Sequence, residues 1–231
     1  MLAINMKMHL TKDEIEDFEN YIYNKKVIVL PEYPYIPFFQ RGDYQLGSQD
    51  VSKFKDGAYT GEISAKCLKS FNCKYVMIGH SERKYNFKED ISTLRDKIQN
   101  VLDEEMIPIY CVDRNYDDIK NDSELKNIES QLEVIPNFVN YIIIVFEPSY
   151  TIGNTSMTPD IDEISKSITK IKEWLIERNI NHSILYGGGV SKKNIDDLLS
   201  IKGIDGTIIC SSAFQKEEFD YIYDKCVENR S

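Results

Sequence analysis

The run Ile142-Ile143-Ile144-Val145 is apolar at every position, where a strand with one wet face would alternate. Val27-Ile28-Val29-Leu30 has the same character. Runs of this kind suit strands buried on both faces, which is the situation in parallel sheets. Outward from these two, short apolar runs recur at Leu2–Met8, Lys26–Leu30, Tyr44–Gln49, Tyr75–His80, Ile107–Val112, Tyr141–Glu147, Ser183–Gly188 and Gly206–Ser211, which makes eight candidate strands. Helical patterns lie between them at Lys12–Tyr23, Asp90–Glu105, Asp117–Leu132, Pro159–Arg178, Lys192–Leu199 and Gln215–Val227. Thr11 is a suitable N-cap for the first, and Pro159 after Thr158 suits a helix start. Pro31–Asp43 holds three prolines and little periodicity, so the second helix should be short or distorted. Strand and helix alternating around eight strands favour a closed α/β barrel, (β/α)8, over an open sheet.

The chain has 231 residues, 42% of them apolar, which suits one such barrel as a single domain over 1–231. No linker or low-complexity segment divides it. The net charge of −10 argues against general nucleic-acid binding, which needs Lys and Arg on phosphates. The five cysteines form no CxxC pair and read as free thiols in a reducing cytosol. No apolar run reaches transmembrane length and no N-terminal signal is evident, so a cytoplasmic location is expected. His9, His80 and His182 form no metal-like cluster, and no organic cofactor motif is present.

In a barrel of this kind chemistry sits at the C-terminal strand ends. Asn5 and Lys7 end the first strand, His80 followed by Ser81, Glu82 and Arg83 ends the fourth, and Glu147 ends the sixth. Gly187-Gly188-Gly189 ends the seventh and Cys210-Ser211-Ser212 the eighth. A carboxylate beside a substrate C–H can act as a base, and an imidazole can polarise a carbonyl. An ammonium can hold an anion and steady enediolate charge, and a glycine turn can offer N–H groups to phosphate. Singly, each has a bland reading: a strand-end His is more often structural, a Glu before Pro is usually just a strand end, and a lone Lys is usually solvated. Four compatible groups on one face are hard to ascribe to chance, and together they suit proton abstraction beside the carbonyl of a phosphorylated sugar.

Several strings then resemble the triosephosphate isomerase family. Tyr75-Val76-Met77-Ile78-Gly79-His80-Ser81-Glu82-Arg83 looks like the signature around its electrophilic His, and Gly57-Ala58-Tyr59-Thr60-Gly61-Glu62-Ile63-Ser64 like its interface loop. Asn5-Met6-Lys7-Met8, Phe146-Glu147-Pro148 with Ile152-Gly153, Leu185-Tyr186-Gly187-Gly188 and Asp205-Gly206 match in order over nearly the whole chain. The resemblance implies an aldose–ketose isomerase with Glu147 as base, His80 as neutral electrophile and Lys7 with Asn5 binding substrate. The neutral His and a closing loop are what the resemblance implies, as features of that family. The same resemblance puts Gly153, Gly188, Gly189 and Ser211 in the phosphate grip, with Glu82 and Ser81 as support. It also implies a homodimer, in which Thr60 reaches the partner's site and Glu62 pairs with the partner's Arg83. Departures collect at the lid, Ser149–Met157, and at the phosphate end, where Cys210 and Ser211 stand in place of the family's glycines and Gly189 in place of its Ser. Asp113-Arg114 likewise stands where the family has Gly-Glu. They leave open a paralogous isomerase of another small, for example four-carbon, ketose phosphate, or a weakly active barrel.

Overall fold

The computed structural model describes residues 1–114, 124–148 and 160–228. Its strands are β1 (Leu2–Asn5), β2 (Ile28–Leu30), β3 (Gln45–Ser48), β4 (Tyr75–Ile78), β5 (Ile107–Arg114), β6 (Tyr141–Pro148), β7 (Asn181–Tyr186) and β8 (Gly206–Ile209). They pair in parallel in chain order, and β1 meets β8 at Leu2↔Thr207, so the barrel closes. All eight expected strands are present. Most end earlier than the apolar runs do, because the last residues of each run turn into the loops above the barrel.

The doubly apolar runs have the predicted cause. Ala3, Leu30, Met77, Ile109, Ile143, Val145 and Leu185 pack together inside the barrel. Ile142, Ile144 and Phe146, alternating with them, pack outward against the helices. Period-two alternation then carries Glu147, two residues beyond Val145, to the inner side at the C-terminal mouth.

The helices are α1 (Lys12–Ile22), α2 (Ala65–Ser70), α3 (Ser81–Asn86), α4 (Ile91–Asp103), α5 (Glu124–Leu132), α6 (Ile161–Glu177), α7 (Ile195–Ser200) and α8 (Lys216–Glu228). Thr11 does start α1, its backbone N–H donating to Glu14 Oε2 at 2.8 Å. α6 starts on Asp160, whose carboxylate accepts from Asp162 N at 2.9 Å. The expected start at Pro159 lies outside the described residues, as do 117–123 of the helix expected over Asp117–Leu132. Tyr33–Phe38 forms a 3-10 turn in place of a full second helix, in keeping with its prolines. No described helix is long and apolar enough to cross a membrane.

Candidate active site

β1, β4 and β6 deliver Asn5, His80 and Glu147 to one end of the barrel, and all three are buried. Lys7 follows β1 in a left-handed conformation, φ 49°, that non-glycine residues rarely hold. Two side chains brace that turn. Asn5 Oδ1 accepts from Lys7 N at 3.2 Å. Gln49 donates to the carbonyls of Lys7 and Leu30, each at 3.0 Å. So constrained, the Lys7 ammonium reaches Glu82 Oε1 at 2.6 Å. Burial works against its charge, but the hydrogen bond and charge of Glu82 outweigh this, and its pKa is raised above the ordinary 10.5. Burial would raise Glu82, but Lys7 overrides it and its carboxyl is held below the ordinary 4.5.

His80 is the N-cap of α3, and its Nδ1 accepts from Glu82 N at 3.3 Å. A ring nitrogen that accepts a backbone N–H cannot also carry a proton, so the proton goes to Nε2. Nε2 faces Glu147 Oε2 at 3.1 Å. One imidazole N–H and one carboxylate thus meet across the mouth. Ser81 is buried behind them as the first residue of α3.

The glycine run has separable causes. A Cβ at Gly187 would lie 2.9 Å from Ile208 Cγ2 and 3.3 Å from Glu147 Cδ, so the bare backbone leaves room for the carboxylate. Gly188 takes φ 98°, where side chains are strained. Gly189 is exposed, and its carbonyl accepts from Asn194 Nδ2 at 2.9 Å. Ser211 is exposed at the start of a 3-10 turn over Ser211–Phe214. Cys210, half-buried before it, has its thiol pKa raised by burial, with the nearby Lys7 charge opposing. The lid, Ser149–Met157, with Gly153 in it, lies outside the described residues.

Thr60 and Glu62 are exposed on a turn beside the stacked rings of Phe54 and Tyr59. Within its own chain, Arg83 Nε reaches Asp50 Oδ2 at 2.8 Å and Glu89 Oε1 at 2.6 Å. Lys97, nearly fully buried, reaches the same two carboxylates at 2.6 Å each. Sequence reading missed this four-charge cluster, and it missed Gln49; neither carries a local pattern. Among the described residues no three His, Cys, Asp or Glu side chains gather as a metal site would need.

A family model described as triosephosphate isomerase matches residues 1–226. Among curated proteins, the triosephosphate isomerase of Orientia tsutsugamushi (strain Boryong) is 36% identical across 96% of each chain. That of Wolbachia pipientis wMel is 34% identical over 96% of this chain and 91% of its own. That of Mesomycoplasma hyopneumoniae (strain 232) is 37% identical over 77% and 73%.

Proposed function

The chain belongs to the triosephosphate isomerase family, and from that premise we propose that Glu147 and His80 interconvert dihydroxyacetone phosphate and glyceraldehyde 3-phosphate. The protein is an isomerase of triose phosphates, a glycolytic activity, acting on a phosphorylated three-carbon substrate. What remains to be assigned is which atoms perform it. The observation that carries the assignment is the 3.1 Å approach of His80 Nε2 to Glu147 Oε2 at the barrel mouth. A substrate entering there would separate the two and take a place between them.

The Glu147 carboxylate takes a proton from C1 of the ketose. The C–H electron pair becomes a C1=C2 double bond, and the carbonyl pair moves onto O2. The His80 Nε2–H donates to that oxygen, and the Lys7 ammonium steadies the enediolate charge. Proton return to C2, with the hydroxyl proton passing between the two oxygens, gives the aldose. Glu82 supports Lys7, and Asn5 braces it. Gly188, Gly189, Ser211 and, outside the described residues, Gly153 are assigned to the phosphate, and Ser81 to support of His80. The chain acts as one unit over 1–231, pairs as a homodimer through Thr60, Glu62 and Arg83, and works in the cytoplasm. The test is a coupled assay: turnover of dihydroxyacetone phosphate well above that of a tetrose phosphate supports this reading. Preference for the tetrose would overturn the substrate assignment.

A further inference from the structure

We propose that Lys84 is a positioning residue that sets the spacing between His80 and Glu147; the inference rests on the reading of that pair given above. Lys84 lies one turn after His80, and its backbone N–H donates to His80 O at 3.1 Å. Its side chain is only 14% exposed, and its ammonium has three N–H donors, which meet three acceptors on other residues. They are Cys111 O at 2.9 Å, Asp113 Oδ1 at 3.0 Å and Gln131 Oε1 at 2.9 Å. Two of these belong to the end of β5. Gln131 fixes that same end, accepting from Asp113 N at 3.0 Å and donating to Asp113 O at 2.8 Å. In the sheet register Asp113 stands directly beside Glu147.

One cation therefore joins the helix that His80 caps to the strand end that neighbours the base. The Lys84 stem also closes on the residue before His80. A Cβ at Gly79, where φ is 72°, would lie 3.3 Å from Lys84 Cε and 3.1 Å from Tyr110 Cε2. The same helix supplies the Glu82 N–H that holds the His80 tautomer. A shift of α3 would thus alter both the distance from imidazole to carboxylate and the hydrogen bond that places the proton on Nε2.

The test compares Lys84→Met, His80→Gln and the double variant in the coupled triose phosphate assay, with folded fraction matched by circular dichroism. Lys84→Met is expected to lower kcat about 10- to 100-fold with KM within about 3-fold, as a misplaced reacting group does. In the His80→Gln background the same substitution should cost almost nothing, because the residue it positions is gone. An unchanged kcat in Lys84→Met, while His80→Gln lowers it, overturns the inference and leaves the pair standing. A loss that adds in full to that of His80→Gln also overturns it, since Lys84 would then act on the fold alone. An unchanged kcat in His80→Gln overturns the reading of the pair, and this inference with it. If Lys84→Met does not fold, Asp113→Asn weakens the same bridge from the strand side by removing its negative charge and must give the same split.

Discussion

Replacing Gly187 by Ala adds one methyl at the point where the barrel wall meets the base. The new carbon would lie 2.9 Å from Ile208 Cγ2, about half an ångström inside ordinary contact, and 3.2 Å from Val145 Cγ1. Both neighbours are buried, so the methyl has no free space to enter. Overpacking of this kind costs about 1–3 kcal/mol. In a chain of this length that lowers Tm by about 2–12 °C. The third neighbour, Glu147 Cδ at 3.3 Å, must retreat by a few tenths of an ångström. If a displacement of about 1 Å costs about 100-fold in rate, a third of that costs about 3- to 10-fold in kcat. Gly187 has an ordinary φ, so the backbone contributes no strain of its own. The assay pairs thermal unfolding with coupled triose phosphate turnover. A lowered Tm with unchanged kcat would refute the seating of the Glu147 carboxylate against Gly187. No change in either would refute the contact altogether.

Lys7→Met removes a cation whose pKa is raised and which holds Glu82 below its ordinary value. The raised Lys contributes stability below 10.5 that is lost as pH rises through its folded value; the lowered Glu contributes above 4.5 and loses it as pH falls through its folded value. The wild-type advantage over Lys7→Met in urea unfolding should therefore be level through neutral pH and narrow under acid. A constant gap down to about pH 3 would contradict the pairing. Lys97→Met leaves Asp50 and Glu89 with Arg83 alone and should cost about 3 kcal/mol in chemical denaturation, the low end for breaking a buried pair; a cost below about 1 kcal/mol would show that water reaches the cluster. Light scattering should give about twice the chain mass, since closed two-fold dimers dominate oligomers and Met8, Phe87 and Ile91 leave apolar surface exposed. A monomer at micromolar concentration would contradict the dimer.

The barrel was legible because its strands are buried on both faces, which writes them as unbroken apolar runs such as Ile142–Val145. The same alternation set Glu147 on the inner side. Of the three six-residue α-helices among the described residues, Ile195–Ser200 overlaps the expected Lys192–Leu199, and the other two were not legible. Ser81–Asn86 is polar but for Tyr85, and its start depends on capping by His80. Ala65–Ser70 is too brief to show a period. Lys7, His80 and Glu147 were found from strand ends and family strings. The groups that hold them were not, because their partners are remote in sequence: Gln49 grips the Lys7 carbonyl, and Lys84 reaches Gln131 across 47 positions. Arg83 was read only as an interface residue, and its intrachain contacts with Asp50 and Glu89 were not legible either.

The most direct test of the central claim is kcat of Glu147→Gln for dihydroxyacetone phosphate in the coupled assay. The amide keeps the shape of the carboxylate but cannot take the C1 proton. A positioned base contributes about 10²- to 10⁴-fold, so kcat should fall by that much with KM little changed. A variant that turns over within about 3-fold of the wild type would contradict the assignment of Glu147 as the base.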